Sequence, residues 1–113
     1  MKIITICDNR TFSKGYRKGK KFAGRYIIIY STPTRPVYPL RLGLTVTKGR
    51  GSAVVRNRIK RILRAAWCDV MKMRDHVPGH DIIIVARDAA AAAKSTDIIP
   101  ELEAGLSKLG VII

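Results

Sequence analysis

The segment spanning residues 53–74 limits the possible folds more than any other part of this sequence. It is long, has helical periodicity and is charged on one side only. At 100° per residue, its apolar side chains fall within about 100° of arc and form a stripe that must be buried. A chain of 113 residues is long enough to cover that stripe with a single core. The stripe consists of Val55, Ile59, Ile62, Leu63, Ala66 and Val70.

The opposite side of this predicted helix carries a dense group of cations. Five Lys or Arg residues lie within nine positions, and no acid occurs between them and Asp69. Their mutual repulsion costs a few tenths of a kcal/mol per close pair. Such a face predicts a phosphate-bearing partner, because one guanidinium group can donate two hydrogen bonds to the oxygens of a phosphate. The helix N-terminus adds partial positive charge. Asn57, Lys60, Arg61 and Arg64 are predicted at its centre, with Arg56 and Arg58 on its borders.

The charge of the whole chain is as uneven as that of the helix. The net charge is +14; residues 1–64 contain 17 Lys or Arg and one acid, whereas residues 65–113 contain five and seven. Solubility does not require so uneven a distribution of charge. A polyanion such as a nucleic acid releases its counterions when it binds the cationic half of the chain, and this release favours binding. The buried stripe disfavours a membrane-surface helix, and no apolar stretch reaches the ~18 residues of a membrane span. We therefore expect a cytoplasmic nucleic-acid-binding protein.

The remaining periodicities predict an α+β fold. A first helix begins at Asp8 or Asn9 and ends at Gly19. Residues 25–31 predict a central strand, because both of its sides are apolar. Three prolines predict a loop over residues 31–39. The other predicted elements are a strand over residues 40–47, a strand over residues 81–86, a helix-prone alanine run at 89–93, and a last helix capped by Ser95 or Thr96 with Pro100 in its first turn.

The Cys and His residues give no sign of metal or disulfide chemistry. Cys7 and Cys68 belong to no CxxC pair, and we predict two reduced, partly buried thiols. His76 and His80 flank a Pro-Gly turn, which is not the helical spacing of a metal site.

Three aromatic residues suggest a second functional surface. Phe12 and Tyr16 lie four residues apart and share one face of the first helix, and Tyr30 lies on a strand. If that helix crosses the sheet, these rings line a groove on which the bases of single-stranded nucleic acid stack. Ordinary core packing is the alternative for each ring, and the residues alone leave it open.

The run AVVRNRIKR at residues 53–61 resembles the signature of the bacterial ribonuclease P protein family. The resemblance extends over about residues 8–110. It includes Phe12, Tyr16 and Gly19, then Arg25 and Tyr30 on the first strand. RLGLTVTK at residues 41–48 resembles the family strand that leads into the signature helix, and residues 81–87 resemble a later family strand.

This resemblance implies a function, a fold and two sets of site residues. The family removes the 5′ leader from precursor tRNA as the accessory subunit of an endoribonuclease. The RNA subunit carries the catalytic centre and Mg²⁺, and the protein holds neither. Its fold is a single domain, residues 1–113, with one central four-stranded sheet and three helices in the order α-β-β-(β)-α-β-α. That fold is ribosomal-protein-like and has a left-handed βαβ crossover.

The implied partners are the ribonuclease P RNA, in a 1:1 complex with a protein monomer, and precursor tRNA, with no membrane. The implied RNA-docking set is Lys48, Arg50, Arg56, Asn57, Arg58, Lys60, Arg61 and Arg64, and the implied leader-groove set is Phe12, Tyr16, Ile28, Tyr30 and Thr45.

The loop before the signature helix departs from the family pattern at two positions. Gly49 stands where many members have a second Lys, and Ser52 stands where Asn is common. Arg50 supplies a positive charge one residue later.

Two other functions remain as alternatives. A self-sufficient nuclease needs clustered carboxylates to hold its metal ions, and the basic half of the chain has only Asp8. A ribosomal or general RNA-chaperone module has the same charge pattern. Reconstitution with ribonuclease P RNA separates these functions, because binding alone does not.

Overall fold

A computed structural model describes residues 4–6, 8–46 and 52–112 of the chain. Its helices and strands follow the predicted α+β order of helix, three strands, helix, strand and helix. The bounds are α1 Asn9–Lys18, β1 Lys20–Ala23, β2 Ile27–Pro33, β3 Arg41–Thr45, α2 Ala53–Met73, β4 His80–Ala86, a 3₁₀ helix Asp88–Ala92, and α3 Ser95–Lys108.

The four strands form one mixed sheet in the order β1-β2-β4-β3. β2 is antiparallel to both β1 and β4, whereas β3 and β4 are parallel and are connected through α2. The central position predicted for the strand over residues 25–31 is therefore confirmed, since that strand is β2. Residues 4–6 cover the outer edge of β3, where the Ile6 N–H donates to the Leu42 carbonyl (3.0 Å) and the Leu42 N–H to the Ile4 carbonyl (2.8 Å).

One face of the sheet shares the hydrophobic core with α2 and α3. Ile29 and Ile84 pair across β2 and β4, are fully buried and belong to that core. The predicted α2 stripe is confirmed at four of its six positions, whereas Val55 and Ile62 are half-buried. The residues of α2 that are buried are Ile59, Leu63, Ala66, Trp67, Val70 and Met71.

Helix α1 crosses the opposite face of the sheet. It lies close to the sheet at Gly15, where a Cβ atom would be only 2.5 Å from Cδ1 of Ile83. Both predicted ends of this helix are confirmed. Asp8 accepts a hydrogen bond from the Thr11 N–H (3.0 Å), and the Gly19 N–H donates to the Gly15 carbonyl (2.9 Å). Helical geometry places residues 12 and 16 on one side of Gly15 and residues 10 and 14 on the other, so α1 separates two grooves.

The region around β1 and β2 differs from the prediction. Only three of the four expected strands had predicted bounds, and the structure adds β1 as the fourth. β2 begins at Ile27 and extends through Pro33, so the predicted loop over residues 31–39 is wrong for its first three residues. The proline is tolerated because β1 begins only at Lys20, which pairs with Ser31, so Pro33 has a neighbouring strand on one side only.

The C-terminal region also differs in detail. The N-cap of α3 is Lys94 rather than Ser95 or Thr96, and its N–H donates to Oδ2 of Asp97 (2.9 Å). Pro100 therefore lies in the second turn of α3 and not in the first. The alanine run forms a 3₁₀ helix. None of the helices in the described part of the chain combines the length and the apolar composition that a membrane span requires.

Candidate nucleic-acid interface

The polar side of α2 forms the first candidate surface. Asn57, Arg58, Arg61 and Arg64 are exposed along it, whereas Arg56 and Lys60 are half-buried. Two predicted positions are therefore corrected. Lys60, predicted at the centre of the face, lies at its border, and Arg58, predicted on the border, is exposed. Lys48 and Arg50 lie outside the described residues.

The N-terminal part of α2 is held by local contacts. Ser52, at one of the two positions that depart from the family pattern, is the N-cap and accepts a hydrogen bond from the Val55 N–H (3.4 Å). The Arg58 guanidinium donates to the carbonyl of Ala91 in the 3₁₀ helix. Nε of Arg56 is buried and has no hydrogen-bond partner within the described residues. Arg58 is therefore fixed against the protein, while its remaining N–H groups are available to an external acceptor.

The aromatic residues form a second surface between α1 and the sheet. The rings of Tyr16 and Tyr30 meet edge to face with centroids 5.2 Å apart, and the centroids of Phe12 and Tyr16 are 6.4 Å apart. The Tyr16 hydroxyl lies 2.6 Å from Oγ1 of Thr45. These contacts bring together four of the five residues predicted for the groove, and Tyr16 is 40% exposed.

The floor of this aromatic groove is a row of residues across three strands. Ile28 of β2 is paired with Val85 of β4, which is paired with Thr45 of β3, and all three are half-buried. Val85 was missed by the sequence reasoning. The sequence feature that could have identified Val85 is the strand alternation along residues 81–86. It places Ile83 and Val85 on the side of the sheet that α1 crosses. The Phe12 ring lies over Gly43, where a Cβ atom would come within 2.8 Å of it.

The cationic face and the aromatic groove meet at the edge of the sheet. A cleft of about 130 Å³ there is lined by Phe12 from the groove and by Lys60 and Arg64 from α2. An extended polyanion can therefore contact the rings and the cations at the same time.

The acidic residues near this surface serve the fold. Hydrogen bonds from Thr11, first from its hydroxyl and then from its N–H, hold the pKa of Asp8 below its ordinary value of 3.8. The residues that the structure describes contain no group of three or more His, Cys, Asp or Glu side chains suited to hold a metal ion. Cys68 is a free, half-buried thiol, as predicted, and Cys7 lies outside the described residues.

A cationic helix that meets an exposed aromatic groove on a small α+β sheet defines a class of basic RNA-binding proteins. Comparison with known proteins specifies the class further. The family described as Ribonuclease P matches residues 2–110, and the chain belongs to that family. Its members are ribonucleoprotein subunits of tRNA processing.

Individual relatives agree with this assignment. The ribonuclease P protein component of Shouchella clausii is 37% identical over 108 residues, which cover 95% of this chain and 86% of the relative. That of Clostridium acetobutylicum is 32% identical and covers 100% of this chain and 94% of the relative. The solved structure of the Staphylococcus aureus RNase P protein is 34% identical, has a TM-score of 0.82, and covers 99% of this chain and 100% of that one.

Proposed function

We propose that this protein binds the catalytic RNA of ribonuclease P through α2 and the 5′ leader of precursor tRNA through the aromatic groove. In this way it supports endonucleolytic removal of the leader. The observation that carries the proposal is the junction of the two surfaces at Phe12, Lys60 and Arg64. Because the two surfaces adjoin, one small protein can hold two RNA molecules next to each other.

Helix α2 suits a structured RNA. Arg61 and Arg64 are exposed and lie three residues apart, so their guanidinium groups project from adjacent turns of one face. Such a pair binds two phosphates of a folded backbone and reads no base sequence. Arg58 contributes from a position that the Ala91 carbonyl has already ordered, which reduces the entropy lost on binding.

The aromatic groove suits an unpaired strand. Its rings offer faces and edges to any base, and its floor of Ile28, Val85 and Thr45 is mainly apolar. Stacking on protein rings accepts every base and needs no fixed sequence. A leader whose sequence differs from one tRNA to another requires that tolerance.

The catalytic centre and its Mg²⁺ belong, in this proposal, to the RNA subunit of a 1:1 complex in the cytoplasm. The support is the charge distribution, since only one acid lies within residues 1–64. Phosphodiester cleavage by metal ions needs several carboxylates to hold the ions, and the cationic half of the chain does not supply them.

Reconstitution tests the proposal. Precursor tRNA is incubated with ribonuclease P RNA at low Mg²⁺, with and without this protein, and the 5′ product is measured. We expect cleavage at Mg²⁺ concentrations where the RNA alone is inactive. Unchanged cleavage on adding protein would support the RNA-chaperone alternative, and cleavage by protein and Mg²⁺ without the RNA would support the nuclease alternative.

A further inference from the structure

A second and larger cleft lies on the other side of α1 from the aromatic groove. It has a volume of about 570 Å³, which is within the range of small-ligand sites. Its charged lining comes from α1, from β3 and β4, and from the segment between β2 and β3. Four cations, Arg10, Lys14, Arg35 and Arg41, face a single acid, Asp81.

The single carboxylate is already neutralised. Nε of Arg41 donates to Oδ1 of Asp81 (2.8 Å), and Nη2 donates to Oδ2 (2.7 Å). The two residues also face each other across β3 and β4, so the backbone register holds the pair in place. The charge that remains in the cleft is that of Arg10, Lys14 and Arg35, and it favours an anion.

Two buried hydroxyl groups in the wall of this cleft have no hydrogen-bond partner in the described part of the chain. Thr32 is only 7% exposed, and neither its Oγ1 nor that of Thr34 makes a hydrogen bond within the described residues. Leaving a buried polar group unsatisfied costs about 1–3 kcal/mol, so such a group in a native protein requires an explanation, such as a bound water or an ion. A hydroxyl needs an acceptor, and an anionic oxygen is the strongest one.

The outer wall of the cleft is held in shape by backbone hydrogen bonds. The Thr34 N–H donates to the Gly79 carbonyl (2.7 Å), and the Gly79 N–H donates to the Tyr38 carbonyl (2.9 Å). The Tyr38 N–H in turn donates to the Arg35 carbonyl (2.9 Å). The backbone that carries Thr34 and Arg35 is therefore fixed before any ligand arrives, which reduces the cost of binding.

We propose that this cleft binds a backbone phosphate of RNA. The phosphate oxygens accept from the Thr32 and Thr34 hydroxyls, and Arg10 and Lys14 neutralise their charge. Phosphate binding follows from the cleft alone, whereas the assignment to RNA rests on the proposed function. A strand that leaves the aromatic groove over α1 reaches this cleft directly, and Tyr38, which is 52% exposed, offers a ring for the adjoining base.

The phosphate site is tested on the purified full-length protein without RNA. Inorganic phosphate is titrated at constant ionic strength, with chloride as the balancing anion, and amide signals are followed by NMR. We expect saturable shifts at Thr32, Thr34 and Arg35. The double variant Arg10→Gln/Lys14→Gln weakens binding at these signals about tenfold or more. Shifts that stay linear, or that spread equally over all basic residues, would mean ordinary counterion binding and overturn the proposal.

Two further comparisons separate the site from general charge and from damage to the fold. Lys72→Gln/Lys108→Gln removes two exposed charges from other helices and leaves phosphate affinity unchanged. Thr32→Val preserves shape but removes the hydroxyl and weakens binding, and Thr32→Ser restores it. An equal loss in Thr32→Ser and Thr32→Val would assign the effect to packing and contradict the hydroxyl contact.

The RNA assignment is tested by salt dependence. Kd values for ribonuclease P RNA and for precursor tRNA are measured over a range of salt concentrations with the wild type and with Arg10→Gln/Lys14→Gln. The slope of log affinity against log salt falls by about 1.5 for the RNA that occupies the cleft. If the wild type binds inorganic phosphate in this cleft but the double variant shows the wild-type salt slope with both RNAs, RNA is not the ligand of the cleft. The phosphate titration does not depend on cleavage, so a failure of the proposed function is detected separately.

Discussion

Replacing Tyr30 with Ala tests the aromatic groove most directly. The Tyr30 ring meets that of Tyr16 edge to face at 5.2 Å and is half-buried beside Ile83 and Lys21. Removing the ring lowers two separate quantities, the stability of the protein and its affinity for the leader. The lost ring pair lowers protein stability by about 0.5–1.5 kcal/mol beyond the buried area. The lost base stack lowers leader affinity by about 1–3 kcal/mol, or about 5- to 140-fold in Kd.

The assay compares two RNA substrates under identical conditions. Kd is measured for the reconstituted protein–RNA enzyme with precursor tRNA and with mature tRNA, which lacks the leader. We expect the Tyr30→Ala loss with precursor only, and Tyr30→Phe retains most of the affinity because the ring remains.

A destabilising change on the other face of the sheet is the control. Phe22 packs beside Gly105 of α3, away from the groove. Phe22→Leu therefore lowers stability and leaves the ratio of the two Kd values unchanged. An equal loss for precursor and mature tRNA in Tyr30→Ala would refute leader stacking and assign the effect to destabilisation.

Three further predictions concern α2, the β1–β2 turn and α1. Arg61→Ala weakens binding to ribonuclease P RNA and lowers the salt slope by about one ion, whereas the exposed Lys72→Ala does neither; equal slopes would contradict phosphate contact. The Glu101 carboxylate accepts from three consecutive N–H groups of residues 25–27, so Glu101→Ala lowers the free energy of unfolding by about 2–4 kcal/mol in denaturant titrations; a loss below about 0.5 kcal/mol would show that water replaces those bonds. The pKa of Asp8 lies below 3.8 in the folded state, so its cap on α1 stabilises the protein above that pH and is lost as the pH falls through the folded pKa. Carboxyl ¹³C shifts give this midpoint, Thr11→Ala raises it, and a wild-type midpoint at or above 3.8 would contradict the capping contact.

Local sequence determined the helices and most of the strands of this protein. The 3.6-residue repeat of α2, the Asp8 cap and the terminating Gly19 depend on residues a few positions apart, so they can be recognised without a tertiary structure. The cationic face of α2 was predictable for the same reason, because its members lie on one helix. So was the family, since its signature is a continuous run of residues.

Contacts between distant residues decided the rest. β1 is cationic and carries no clear alternation, and it becomes a strand only because β2 lies beside it. Pro33 can end an interior strand because β1 begins only at Lys20, opposite Ser31, and does not reach Pro33. Val85 joins the groove through its neighbours on two other strands. The cleft beside Arg10 and Lys14 combines side chains from all of α1, β2, β3, β4 and the segment after β2. The sequence does not show that Thr32 is buried with no hydrogen-bond partner among the described residues. Helical order is local, whereas strand pairing and burial depend on the whole chain, so the binding surfaces between elements required the tertiary structure.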